Sequence, residues 1–275
     1  MKPFQIIAAF TIAIFGFLLI LGFLGKTNVA LRDISDSNIC ETSVRINSAA
    51  RFEGLSFDTD LKCPTLFIEL DESRSNNKYV VFKTLALAMS DTWKEFLEGK
   101  EEVFNSDTQN YCVIRRVIEL KGTTKHEGFF EYLVTNNIPD VKKTYYNYLT
   151  NVDVDQGTTT TLRSSDFKKA DIIDASKSYA VVYVLAKKDR WAKITSASVG
   201  SSTGFIVAGV VGLATGGVGL TLLGAGAATG ALTGYFLGSD YASDWQASML
   251  LIPYTQEDLK SLDCTQLPSK LTRIQ

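Results

Sequence analysis

Four cysteines and one histidine are the residues in this 275-residue sequence best able to do chemistry, and their spacing limits what that chemistry can be. Cys40, Cys63, Cys112 and Cys264 stand far apart, without the short spacing that builds a zinc site. With His126 as the single histidine, multi-histidine metal centres are excluded. An even number of widely spaced cysteines predicts disulfides, with three pairings open. The expected pairs are Cys63 with Cys112, inside one domain, and Cys40 with Cys264, tying the start of that domain to the tail of the chain. Disulfides persist in oxidising compartments, so this expectation puts the domain on the outer face of a membrane. The alternative is four buried free thiols in a cytoplasmic domain.

The remaining candidates for chemistry read as structure. His126 lies between Lys125 and Glu127 in a polar stretch and reads as a solvated loop residue, because a catalytic base needs positioned partners. No serine stands in a nucleophile-elbow motif, and no glycine-rich loop ends in Lys-Ser or Lys-Thr. Gly224, Gly226 and Gly230 only loosely approximate a dinucleotide fingerprint and lack its strand–helix–strand frame. Asp58 with Asp60 and Glu101 with Glu102 read as solvated surface. Phe129, Phe130, Tyr132, Tyr145, Tyr146 and Tyr148 read as domain core or a membrane-interface belt rather than a ligand platform. A formal charge of -2 gives no electrostatic reason to expect nucleic acid as a partner. No cofactor, no metal and no enzymatic activity are expected.

Two uncharged stretches locate the chain. Residues 4–24 contain no ionisable side chain and would rise roughly 31 Å as a helix, against a hydrocarbon core of about 30 Å. Lys2 and Lys26 bracket the run and can reach the headgroups. The run exceeds the usual core of a signal peptide and no small-residue cleavage site follows, so a retained anchor is expected over 1–26. Residues 194–239 also lack any Asp, Glu, Lys, Arg or His, and as helix would extend roughly 69 Å, enough for two crossings. Gly216-Gly217 marks the turn. Gly226, Gly230, Gly234 and Gly238 recur every fourth residue, and Gly200/Gly204 and Gly212/Gly216 repeat the spacing. Such stripes let helices pack closely in a bilayer, so a glycine-rich transmembrane helical hairpin is expected. Its lack of acidic, basic and histidine side chains disfavours proton-coupled transport.

Between and after these stretches the periodicity predicts an α+β domain over 27–193, completed by 240–275. A helix is expected over 34–51, a strand over 66–70 and a helix over 79–97 with Val81, Leu85, Met89, Trp93 and Phe96 on one face and Gly99 as stop. Residues 111–120 read as a strand, 128–134 and 145–149 as short aromatic helices, 153–165 as a loop, and 255–262 as a short helix. Strands at 178–186 and 245–254 flank the hairpin and could lie side by side, making it an insertion. If Cys40 pairs with Cys264, the insertion must cross the membrane an even number of times.

The succession Gly54-Leu55-Ser56-Phe57, Lys62-Cys63-Pro64-Thr65, Trp93 to Gly99, Tyr111-Cys112-Val113, Gly128-Phe129 with Tyr132-Leu133, 145–149, 178–184 and Cys264 resembles a family of uncharacterised membrane proteins from small-genome archaea. The resemblance spans nearly the whole chain and implies an envelope location without an established activity. Relatives carry a further cysteine pair where this chain has Thr92 and Arg115, which implies that helix 79–97 packs on strand 111–120. The expected partners are therefore the lipid bilayer and either a second copy of the chain or an envelope protein.

Overall fold

Val81, Leu85, Met89, Trp93 and Phe96 recur at helical spacing and all five are fully buried, so the longest helix among the described residues presents its apolar face to the core. The computed structural model describes residues 36–49, 61–99, 103, 111–150, 172–187, 205–212, 218–224, 245–262 and 265–266. The chain enters through helix α1 over 36–49 and strand β1 (Leu66–Leu70), then passes through the single turn α2 (Glu72–Ser75) into helix α3 (Lys78–Glu95). Asn77 starts α3 by accepting hydrogen bonds from the backbone of Tyr79 and Val80, two donors that the first turn cannot satisfy internally. The helix ends in a tight turn at Gly99, whose φ of +65° suits glycine. A Cβ there would also stand 2.6 Å from the Trp93 ring and 2.8 Å from Ala247 Cβ.

Strand β2 (Tyr111–Leu120) is followed by β3 (Lys125–Glu127) and the short helices α4 (Phe129–Thr135) and α5 (Tyr145–Thr150). Next come β4 (Ile172–Asp174), β5 (Ser178–Lys187), β6 (Phe205–Gly212), β7 (Val218–Gly224), β8 (Trp245–Pro253), helix α6 (Gln256–Ser261) and β9 (Thr265–Gln266). A seven-stranded sheet runs in the order β1-β2-β5-β8-β6-β7, with β9 also on β2. The β1–β2 and β2–β9 pairs are parallel and the others antiparallel. The two strands expected to lie side by side do so, from Tyr179 opposite Pro253 to Lys187 opposite Trp245.

Alternation along the central strands divides the core. Tyr179, Val181, Tyr183 and Leu185 of β5 and Ala247, Met249 and Leu251 of β8 join the face packed by α3. Ala180, Val182, Val184, Leu250 and Ile252 form the second face with Cys112 and Leu262. Both sets are buried, so the strands read as continuous apolar runs rather than polar-apolar alternations.

The helical reading of the glycine-rich stretch is corrected over 205–212 and 218–224. These residues are strands, paired from Phe205 opposite Gly224 to Val211 opposite Val218, and β6 extends the ladder from β8. The composition explains the preference. Ile206, Val207, Val210, Val211 and Val218 are β-branched, and each glycine between them would cost a helix about 1 kcal/mol. Gly212 ends β6 opposite Gln246 rather than sitting on a helix stripe. Gly200, Gly204, Gly216, Gly226, Gly230, Gly234 and Gly238 lie outside the described residues, as do the expected anchor at 1–26 and the loop at 153–165. Among the described residues no helix is long and apolar enough to cross a membrane.

The register carries its own test. Val207 and Met249 are Cα partners, so Val207→Cys with Met249→Cys should oxidise to a cross-link that peptide mass mapping detects. A helical hairpin over 194–239 turning at Gly216-Gly217 would leave that pair unlinked, and a missing cross-link alongside native folding would reject the strand pairing.

Candidate functional site

The described domain concentrates its buried charge at one place, and a backbone irregularity creates it. On β2, Ile114 pairs with Val182 and Arg116 with the adjacent Val181, so Arg115 is an extra residue in that strand. Such a bulge sends two consecutive side chains to the same face. Arg115 and Arg116 therefore both point at α3, where Glu95 meets them. Arg115 Nε donates to Glu95 Oε2 at 2.6 Å and its Nη2 to Oε1 at 3.3 Å. Arg116 Nη2 donates to Oε1 at 2.7 Å, and its Nη1 to Oε2 at 3.2 Å and to Thr92 Oγ1 at 2.6 Å. Ser37 Oγ of α1 adds a fifth hydrogen bond to the carboxylate at 2.5 Å. Arg115 Nη1 also donates to the carbonyl of Pro64.

The three charged side chains are 0–6% exposed. Burial by itself would raise the Glu95 carboxyl, but the charges of Arg116 and Arg115 and the hydrogen bonds from Arg116 and Ser37 hold it below the usual range. A carboxylate in this state, with both oxygens occupied, is a poor general base and a worse general acid. The cluster can fix α3 against β2. Desolvating three charges is costly, and their mutual geometry offsets that cost only while the set is complete.

The expected pairing of the cysteines is corrected here. Cys40 of α1 is joined to Cys63, with their Cα atoms 4.4 Å apart, and not to Cys264, while Cys63 is not joined to Cys112. The physical reason is the helix itself, which carries Cys40 onto the segment leading into β1. Closing a loop of this length contributes about 3 kcal/mol in the chain-entropy account. Around the bridge the backbone N–H of Lys62 donates to Ser43 Oγ at 3.2 Å, and Thr65 Oγ1 donates to the Ile114 carbonyl at 2.7 Å. Cys112, on the second face of β2, is disulfide-bonded too. Cys264 lies outside the described residues. With the Cys40–Cys264 pairing gone, its argument for an even number of crossings goes too. The tail returns to the domain by another route, as Thr265 and Gln266 pair with Tyr111 and Cys112.

His126 is not solvated. It is 6% exposed on β3, with Nε2 2.8 Å from the Ser75 carbonyl and its ring edge-on to Phe82. A carbonyl only accepts, so Nε2 carries the proton and the imidazole acts as a strut between the loops after β1 and β2. Beside it Asn76 Oδ1 accepts from the backbone of Thr123 at 2.9 Å and from the Thr124 hydroxyl at 2.6 Å. The aromatic group is core, as expected: Phe129, Phe130, Tyr132, Tyr145 and Tyr146 are buried, and Phe82 packs against Phe129 and Tyr132. Asp58, Asp60, Glu101 and Glu102 lie outside the described residues. Among the described residues no group of His, Cys, Asp and Glu is arranged to hold a metal ion.

Sequence reasoning missed the ionic cluster although its signal is present. Two adjacent arginines interrupt the apolar run of β2, and Glu95 falls on the buried side of α3. Charges inside buried patterns are paired, so three such residues on neighbouring elements point to one another. Comparison with protein-family models, with curated proteins and with solved structures finds no match for this chain.

Replacing Glu95 by glutamine leaves two buried guanidinium groups facing a neutral amide. Glu95→Gln should cost about 3 kcal/mol or more at neutral pH, measured by urea unfolding. Because the folded-state pKa is lowered, the Glu95 contribution is full above the ordinary carboxyl value and is lost as the pH falls through the folded value. The wild-type protein should therefore weaken on acidification below about pH 4.5, and the variant should show a shallower acid slope. Equal slopes would remove the cluster from the acid response.

Proposed function

We propose that this chain is an integral membrane protein of the cell envelope whose disulfide-bonded α+β domain stands on the outer side and acts by binding a partner protein or a second copy of itself. The Cys40–Cys63 bridge, buried in the core rather than hung on the surface, carries the reading. A bond placed there belongs to a chain that folds where thiols oxidise. The uncharged run at 4–24 supports membrane attachment through its length. The likeness to small-genome archaeal membrane proteins implies contact between Thr92 of α3 and Arg115 of β2, and the neighbouring Thr92–Arg116 and Glu95–Arg115 bonds are in keeping with it. A non-catalytic role fits the way Glu95 and His126 are engaged in internal bonds.

A cysteine introduced at Ser73, which is exposed on α2, tests the placement. With Ser73→Cys expressed in intact cells, a membrane-impermeant maleimide should label it from outside. The native cysteines should react only after reduction, since Cys40 and Cys63 are joined in a bridge and 0% and 4% exposed. Labelling that appears only on lysis would move the domain inside the cell.

A second reading rests on the β6–β7 hairpin. Neither strand contains a charge or a proline, the devices that normally keep an edge from pairing, and among the described residues β7 is paired on one side only. Such an edge suits assembly into an oligomer that opens a membrane path. Reconstituted protein should then release a small dye from liposomes, and release no faster than from empty vesicles, with insertion verified, would dispose of that reading.

A further inference from the structure

Helix α1 holds to the domain along one narrow face. Cys40, Val44, Asn47 and Ser48 are its buried residues, while Ile39 and Ile46 point away, 44% and 56% exposed. Of the buried set Val44 is the one aliphatic side chain, and Cys40 is engaged in the bridge. Helices shorter than roughly 12–15 residues are marginal without tertiary support, and one valine offers little of it. The covalent bond to Cys63 therefore reinforces a hold that is otherwise mostly polar, through groups such as Ser37 and Ser43.

The same bond holds both edges of a cover over the ionic cluster. From the α1 side, Ser37 donates to Glu95. From the side of Cys63, the adjoining Pro64 carbonyl accepts from Arg115. Beneath them α3, β5 and β8 are joined independently, with Phe96 stacked on Tyr183 at 4.1 Å and Gly99 closed against Trp93 and Ala247. We propose that the Cys40–Cys63 bridge is a redox-operated latch: oxidised, it seals the Glu95–Arg115–Arg116 cluster under α1, and reduced, it lets α1 leave and water reach the cluster while the sheet and α3 stay folded.

The chemistry is thiol–disulfide exchange with a dithiol. One thiolate of the dithiol attacks the sulfur of Cys40 or Cys63, the S–S bond breaks, and the departing sulfur takes a proton. The second thiolate then attacks the mixed disulfide. The dithiol is oxidised to a cyclic disulfide, and Cys40 and Cys63 are left as two thiols carrying the two protons. Since both sulfurs are buried, exchange passes through transient opening of α1 and follows the rate of that opening.

The test compares the full-length wild-type chain with Cys40→Ala/Cys63→Ala by hydrogen exchange, together with the NMR signal of the Arg115 Nε–H that donates to Glu95. Amides of 36–49 should lose protection on the order of a hundredfold and the Arg115 signal should broaden into exchange with water, while α3 and β5 stay within about threefold. Unchanged protection of 36–49 would overturn the proposal, because α1 would then be held without the bond. Equal loss in all elements, or a variant that does not fold, would overturn it as well, since the bridge would be a staple of the whole domain. Brief reduction of folded wild-type protein with dithiothreitol, with alkylation and selection of molecules modified at Cys40 and Cys63, repeats the comparison without relying on the variant.

Discussion

The single extra residue in β2 is the constraint on which the rest of the domain turns. In a regular strand Arg115 and Arg116 would face opposite sides of the sheet, and one guanidinium would enter the apolar second face beside Ile114 and Cys112. The bulge turns both toward Glu95 and shifts the alternation of the later residues in the strand. Val113 faces α3 before it, and Ile118 and Leu120 face α3 after it. One irregularity thus settles which side each later residue of β2 occupies. It also fixes α3, because Thr92 and Glu95 must meet the two arginines for their charge to be tolerated in the interior.

Around that point directional and non-directional forces divide the work. Burial of Val81, Leu85, Met89, Trp93 and Phe96 draws α3 onto the sheet but leaves it free to slide. The hydrogen-bonded carboxylate permits one position along β2. The bridge at Cys40 adds a third kind of restraint by shortening the loop available to the unfolded chain. At the other end of α3, Asn76, Ser75 and His126 join the loops after β1 and β2, so the helix is located at both ends by polar contacts. Some polar atoms are left out of this scheme. Trp93 Nε1, Tyr183 Oη and Ser248 Oγ are buried without a hydrogen-bond partner among the described residues, and burial pushes the Tyr183 hydroxyl well above the ordinary tyrosine range.

Much of the domain was legible in residue periodicity. The helical face of α3, the strands β1, β2, β5 and β8, and the adjacency of β5 and β8 come from local patterns, since each element repeats its apolar residues at its own period. The glycine-rich stretch misled because uncharged valine, leucine and glycine satisfy a membrane helix and a buried strand equally, and the deciding term is the open edge of β8, which lies outside the stretch. Disulfide pairing failed for a similar reason: spacing counts cysteines, whereas pairing depends on where α1 docks. The ionic cluster was signalled by Arg115-Arg116 within β2 and Glu95 on the buried side of α3, but how both arginines reach one face depends on a bulge that no single-residue preference announces.

The neighbours β5 and β8 are the middle of the sheet, yet the chain leaves β5 at Lys187 and does not begin β8 until Trp245. The entropy of closing such an excursion grows only with the logarithm of its length, so doubling it would cost about 0.6 kcal/mol. The pairing of β5 with β8 is thus little affected by the length of the stretches 188–204 and 225–244, whereas the β6–β7 hairpin between them belongs to the sheet itself. The β5–β8 pairing waits on a distant search, which slows the assembly of this domain, but the same weak dependence makes 188–204 and 225–244, rather than the hairpin strands, the places where length can be rewritten over generations while the frame is kept.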